Sequence, residues 1–582
     1  MTMAEASNST VESYSIQSES KKLLEQSLLG NSRFNEQLPP EARKFASRIS
    51  FEGSPLPTLA INWRFAESAA SLKGLEACVI AALVKRKYGV ELKGARINTD
   101  HAQLFFMSAF VWTIDPDTEH AISLTGQNIK LLDDLFPNYD FHRMSSSLYR
   151  QCATGIYRTK DNRFFQLHGS MNPDPTLTSI GLPLDRPELT TWDDAMKPFI
   201  ERLATIDSEQ MQHLASDVYK QAGVICQTVD SFRATEHGKA NANIGLFKLR
   251  RVTDHERHKP CWWPSTKETS PGRPLAGLKV VDLTRVIAAP AVTRGLAELG
   301  ASVMRVTSPN VADFTLLAVD MSWGKWQCSL DLTTDEGKEK LRDLIREADV
   351  VVQGYRPGVL DKYGFSQDAI IDLVRNRDRG VISVRSNTYG WDGPWSSRSG
   401  WQQISDACVG ISAAFGRAME LKENEAVTPI FPNSDYMVGI AGVVAVLSAL
   451  VQRAERGGSY NIDLSLNYYN QWLADEVGEY PSKIWEDVWN RNGRKVFRSY
   501  HGMNYTLREY FGMILQKSSG ILLNPSFFED RENKAIGSVF RTVKPIIKFD
   551  DEQIVLRYNV GTRGNGKDAP KWPEDLMTEI VT

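Results

Sequence analysis

Residues 275–287 read LAGLKVVDLTRVI, a run rich in Val, Leu and Ile whose apolar residues do not alternate with polar ones. A strand buried on both faces reads this way. AVTRGLAELGA (291–301) follows as a helix that ends at Gly300, and SVMRVTS (302–308) as a second strand. TDEGKEKLRDLIREA (334–348) has Thr334 placed to cap a helix and acids in the first turn. DVVVQGY (349–355) and GVISVRS (380–386) are further strands. Strands alternating with helices at this spacing predict a parallel α/β sheet. Such sheets bind ligands beyond the carboxyl ends of their strands. The loops expected there are TRVIAAP, VTSPN, QGYRPG and NTYGWDGP. None is a GxGxxG or Walker loop, which disfavours a dinucleotide or nucleoside triphosphate. Arg285, Arg305, Arg356 and Lys362 all fall at or just past strand ends. One such cation is an ordinary solvated charge, whereas four along one edge suit a phosphate-bearing ligand.

The whole chain has 582 residues, 42% hydrophobic and 24% charged, with a formal net charge of −3. That is enough chain for two or more domains, and the charge calls for neither nucleic acid nor an anionic membrane as partner. The longest apolar runs read as shorter than a membrane span. Six cysteines are scattered singly, with no spacing that suits a metal, as in a reducing compartment. The first twenty-odd residues lack both the apolar core of a secretory signal and the Arg-rich, acid-poor character of a transit peptide, and the last four, EIVT, are not a peroxisomal address. The expected compartment is the cytoplasm, with the mitochondrion left open.

Composition divides the chain further. Residues 1–55 are polar and read as a loosely ordered lead. Residues 56–150 read as mostly helical, with LKGLEACVIAALVKRKYG (72–89) the clearest helix. In 151–253 a strand pair, GIYRTKDNRFFQLHG (155–169), turns at Lys160–Asp161–Asn162 among helices. Residues 254–273, dense in Pro, Ser and charge, read as a linker. The stretch 432–453, PNSDYMVGIAGVVAVLSALVQR, reads as a turn and then a helix with its only acid, Asp435, at the entry. Residues 67–86 resemble this helix: placing Gly74 over Gly442 sets Glu67 over Asp435. An acid at a helix start is commonly only a cap.

The segments RPLAGLKVVDLTRVIAAP, LAELGASVMRV, GKWQCSLDLTTDEGKEKLRDLIREADVVVQGYRPGVLDKYGFS, YGWDGPW and GSYNIDLSL, in this order between 273 and 466, resemble the class III CoA-transferase (CaiB/BaiF) family. That family includes formyl-CoA transferase, carnitine CoA-transferase and α-methylacyl-CoA racemase. The resemblance implies an α/β fold: a Rossmann-like large domain on a parallel sheet (274–475) and a small α+β domain (151–253), interlocked in a homodimer. Here the small domain precedes the large one, and 56–150 looks like a partial copy of a large-domain end. The fold therefore reads as permuted or partly duplicated. Residues 476–582 weakly resemble another small-domain segment.

The same resemblance implies roles. Asp435 stands at the position of the transferase nucleophile. Ile287, Ala288, Leu330, Gly354, Tyr355, Arg356 and Lys362 match positions that contact coenzyme A, and Gln402 a position beside the reacting groups. Coenzyme A and acyl-CoA are expected as substrates together with a carboxylic acid, with no permanently bound cofactor and no metal. Ser308 stands where formyl-CoA transferase has an arginine, Ile287 where it has a glutamine, and Trp326 replaces a basic residue. Gln402 stands where transferases keep a glutamate and racemases an aspartate, and Trp401 at the neighbouring histidine position. Proton transfer at carbon needs a titratable base, which a glutamine amide is not. The leading expectation is a CoA-transferase. An epimerase or racemase using other acids (Glu67 or Asp406) and a non-catalytic relative are the alternatives.

Overall fold

The run 275–287 supplies the central strand, Lys279–Leu283, of a seven-stranded sheet in the computed structural model, which describes residues 14–124, 126–252 and 258–576. From one edge the strands run Lys325–Ser329, Ser302–Thr307, Lys279–Leu283, Val350–Gln353, Ile382–Asn387 and Ser459–Ser465, all parallel. In chain order this is 3-2-1-4-5-6, the doubly wound arrangement, and the order reverses between Lys279–Leu283 and Val350–Gln353. Every residue of the 350–353 and 459–465 strands is buried, which explains the Val350–Val352 run in the first, while the second buries Asn461 and Asp463 among its apolar residues. Thr334 accepts the Gly337 N–H and caps the Asp335–Glu347 helix, as the sequence indicates.

A seventh strand, Phe247–Val252, closes the far edge antiparallel to Ser459–Ser465. Sequence grouping assigned it to the small domain, but its pairing places it in the large sheet. The small domain proper is an antiparallel sheet of Gly155–Arg158, Phe164–Leu167 and Gly223–Ile225, covered by helices over a core that includes Tyr149, Tyr157, Phe165 and Phe199. Its first hairpin turns at Asn162, whose φ of +61° is left-handed.

Three other sequence boundaries change. The lead is ordered and packed from Tyr14: Ile16, Leu24 and Leu28 are fully buried, because Ile16–Lys22 and the turn after it lie on the Phe65–Tyr88 helix. Residues 1–13 lie outside the described residues. Of the 254–273 linker, residues 254–257 also lie outside them. The rest is docked, with Trp263 2% exposed, its indole N–H donating to Ala276 O at 2.9 Å and Lys87 Nζ 3.8 Å above its ring. Two adjacent tryptophans favour burial over a solvated tether. The C-terminal segment is woven into the first part of the chain. Ser538–Val543 pairs with Thr113–Ile114, and Ile547–Phe549 pairs with Ala95–Asn98, which in turn pairs with Ile49–Glu52.

The two acid-led helices have the same length, Phe65–Tyr88 and Asn433–Arg456, and pack against each other. Among the described residues Asn433–Arg456 is the one helix long and apolar enough to cross a membrane, a length that the sequence reading understated, yet 94% of that stretch is buried inside the protein. It is a core helix. It lies against Ala288–Glu298 at very short range: a Cβ on Gly439 would stand 2.5 Å from Ala291 Cβ, and one on Gly295 2.6 Å from Val443. Small residues set this spacing and thereby the position of Asp435.

Candidate active site

The reversal of strand order leaves a crevice between the loops that follow Lys279–Leu283 and Val350–Gln353. An open cleft lies there, lined by Arg285–Ala289 from the first loop and Gly354–Pro357 from the second. Ser386–Thr388 at the end of the 382–387 strand, Arg398–Trp401, Leu466 and Asp435 complete it. Six of the sequence-derived site residues thus meet in one place: Asp435, Ile287, Ala288, Gly354, Tyr355 and Arg356. Leu330, Lys362 and Gln402 do not line it. Leu330 is buried against the 341–345 side of the sheet, Lys362 is exposed in the Asp361–Tyr363 turn, and Gln402 starts the Gln402–Val409 helix just behind Trp401.

The four strand-end cations separate in the same way. Arg285 and Arg356 line the cleft. Arg305 is buried in an ion pair with Asp313 at 2.6 Å and is part of the fold. The lining also includes Arg398, which the sequence reading missed; it lies beyond the NTYGWDGP loop, with no motif of its own. Arg285 donates to Ala312 O at 2.8 Å and Arg356 to Lys220 O at 3.1 Å, and none of the three arginines has a carboxylate partner among the described residues. Three guanidinium groups without counter-ions at one crevice make an anion-binding surface. The Ala288–Glu298 helix starts here too, and its first-turn N–H groups favour negative charge.

The cleft loops are held from behind. Asp282 at the end of the central strand is fully buried; it receives Lys325 Nζ at 3.0 Å and the Thr293 hydroxyl at 2.6 Å, and Lys325 also donates to Pro290 O. Burial pulls the Lys325 ammonium down to about 8 despite the attraction of Asp282. Gly354 is required where the two loops touch, since a Cβ there would lie 2.8 Å from Ala289. Val286 adopts φ +72°, an uncommon strain for a β-branched residue, at the lip of the cleft.

Asp435 sits in the first turn of Asn433–Arg456, partly buried, and no described residue hydrogen-bonds or pairs with its carboxylate. Burial and the nearby Asp406 raise its pKa well above the carboxylate range. It is therefore no side-chain cap in this structure. Glu67, its counterpart on Phe65–Tyr88, has the opposite surroundings. The Tyr14 and Tyr480 hydroxyls donate to it, the latter at 3.0 Å, and Arg64 lies 3.7 Å away. With its oxygens occupied and no exposure, Glu67 belongs to the packing.

The small domain reaches the cleft wall through His168. Its ring stacks on Trp401 at 5.3 Å and 4°, while Trp401 Nε1 donates to Ser170 Oγ at 3.1 Å. The Ser170 N–H donates to His168 Nδ1 at 2.9 Å, so the proton resides on Nε2, which faces Gln403 Oε1 at 3.2 Å. Burial holds this imidazole neutral, down to about 4.

Residues 275–502 match the model for CoA-transferase family III. The acetyl-coenzyme A transferase nodX of Hypoxylon pulicicidum is 48% identical over 564 residues, 96% of this chain and 93% of that protein. An acyl-CoA transferase of Gibberella moniliformis is 29% identical across 88% of this chain and 89% of its own length. A solved CaiB/BaiF family protein from Brucella suis shares 27% identity, with a TM-score of 0.30, over 39% of this chain and 59% of its own. With a relative this similar along nearly its whole length, the chain belongs to CoA-transferase family III.

Proposed function

We propose that the protein moves coenzyme A between carboxylic acids, with Asp435 as the nucleophile. The observation that carries this reading is a carboxylate at the start of a buried helix that shares one cleft with three arginines, none of the four having an ionic partner among the described residues. In the first step a carboxylate oxygen of Asp435 attacks the thioester carbonyl of the donor. The C–S bond breaks, leaving a mixed anhydride and CoA thiolate. The thiolate then attacks the aspartyl carbonyl, the C–O bond breaks, the donor acid leaves as its carboxylate, and an aspartyl–CoA thioester remains. The acceptor carboxylate repeats both steps in reverse order, leaves as its CoA ester and restores Asp435. No water or net proton is consumed. Division into steps of this kind lowers each barrier. Arg285, Arg356 and Arg398 would hold phosphate and carboxylate groups, and the helix start favours the ionised nucleophile by roughly 0.3–1 kcal/mol. Trp401 lines the wall and Gln402 lies behind it, and neither offers the base that racemisation needs. The 48% identical relative is named for acetyl-coenzyme A, which makes acetyl-CoA the first donor to try.

The test is to incubate the protein with acetyl-CoA and a panel of longer acyl-CoAs, quench with hydroxylamine and locate the hydroxamate by peptide mass. The expected result is modification at Asp435 and none in Asp435→Ala, whose transfer activity is lost. An Asp435→Ala protein that still transfers CoA sinks the reading.

A further inference from the structure

Three helices begin at one end of the cleft: Gln402–Val409, Asn433–Arg456 and Leu466–Trp472. Hydrogen bonds tie their first turns together. Asn433 Nδ2 donates to the Tyr469 hydroxyl at 2.7 Å, and the Ser405 hydroxyl donates to Asn467 Oδ1 at 2.7 Å. Each helix start sends one side chain to the lining: Trp401, Asp435 and Leu466. Trp401 and Leu466 are the large apolar groups there, while their neighbours Ser386, Thr388, Ser399 and Gly400 are small. Trp401 is held on several sides. The His168 ring stacks on it, Ser170 Oγ accepts its indole N–H, and its carbonyl accepts the Ser405 N–H at 3.1 Å. Just before it in the chain, a Cβ on Gly400 would stand 2.6 Å from Thr388 Cβ, so the backbone has no slack. His168 and Ser170 stand behind the indole, outside the lining, and the Thr176 hydroxyl pins His168 O at 3.0 Å.

We propose that Trp401 limits the length of the acyl group, as the end wall of the pocket that receives it, and that the small domain sets this wall through His168 and Ser170. Arg285 and Arg356, on the two crevice loops, hold the phosphates of the thioester, and Asp435 meets its carbonyl. The acyl chain then enters the corner between Leu466 and Trp401. An indole backed by a stacked imidazole in a close-packed wall gives way little. A chain too long for the corner carries the carbonyl out of line with Asp435, and misplacement of that kind costs rate steeply. The substrate class is a short-chain acyl-CoA such as acetyl-CoA, with octanoyl-CoA excluded. This inference rests on the reading of Asp435 as nucleophile and narrows its donor.

The experiment measures, by rapid quench, how fast acetyl-, butyryl-, hexanoyl- and octanoyl-CoA form the hydroxylamine-trappable adduct at Asp435. It is run on the full-length protein, Trp401→Ala and His168→Ala, with thermal unfolding of each. In the unaltered protein octanoyl-CoA is expected to react about a hundredfold more slowly than acetyl-CoA, within the range for methylene groups a pocket does not fit. Trp401→Ala is expected to raise the octanoyl-to-acetyl ratio about tenfold or more, and His168→Ala to raise it by less, since the indole remains but loses its backing. A merely structural role lowers all four rates together and leaves the ratio alone. An unaltered protein that takes octanoyl-CoA as readily as acetyl-CoA overturns the proposal, as does a folded Trp401→Ala with the unaltered ratio. A folded His168→Ala with the unaltered ratio overturns the part given to the small domain. Should Trp401→Ala not fold, Trp401→Phe, which keeps an aromatic face for His168, decides by the same ratio. Absence of an Asp435 adduct with all four thioesters in the unaltered protein overturns the transferase reading itself, and is seen before any variant is made.

Discussion

Asp435 is a carboxyl group whose surroundings oppose its ionisation while its chemistry requires it. Burial first, and Asp406 second, push its pKa up. Because the free enzyme must lose that proton before attack, the rate of Asp435 acylation is expected to rise with pH and to level off only above the ordinary carboxyl range. A rapid-quench series between about pH 4.5 and pH 8.5 checks this; a rate already flat at the acid end contradicts it. The sequence placed the acid at the helix entry, and the family resemblance supplied the role. The same stretch could not tell Asp435 from Glu67, since both begin apolar, small-residue helices. The distinction comes from residues far along the chain: Tyr14 and Tyr480 occupy Glu67, and no described residue occupies Asp435. Arg398 and His168 escaped notice for a similar reason. Neither lies at a strand end of the large sheet, and each joins the site only through the packing of other segments on it.

At the scale of elements, periodicity served best. Four of the six parallel strands were legible in their β-branched, largely apolar runs, whereas Lys325–Ser329 and Ser459–Ser465, which carry Lys, Gln, Asn, Asp and Ser, were not read as strands. The order in which those strands pair is not written in any one of them, and that order creates the crevice. What secures its loops is the Asp282–Lys325 pair, joining the central strand to one two positions away. Lys325→Met fills similar volume but leaves Asp282 buried without its cation. The expected loss is about 3–5 kcal/mol, measured by denaturant unfolding, and the double change Asp282→Leu/Lys325→Met is expected to regain much of it. A loss below about 1 kcal/mol in the single variant contradicts the role given to this pair. Helix bounds were likewise legible at Thr334, where a capping side chain marks the start, and obscure at Pro432, where none does.

The whole molecule departs most from its sequence reading at its two ends. A polar composition hid the apolar residues of the lead, spaced to lie on Phe65–Tyr88, and Leu24 approaches within 3.0 Å of where a Cβ on Gly74 would stand. Leu24→Ala is therefore expected to cost about 2–5 kcal/mol, as for any fully buried leucine, read as a lowered unfolding midpoint. A midpoint unchanged within error shows that the lead does not contribute to the core. Composition also cannot reveal strand partners hundreds of positions apart, and here the early strands Ile49–Glu52 and Ala95–Asn98 take their last neighbour from Ile547–Phe549.

That pairing has a consequence for biosynthesis. A ribosome adding about 5–20 residues per second needs roughly 20–90 s to travel from residue 98 to residue 549. Throughout that interval the emerging polypeptide carries an unmet backbone edge that only its own late translation product can cover. Nascent chains stalled before residue 547 should accordingly be held by chaperones or lost to aggregation, while release of the finished polypeptide seals the seam.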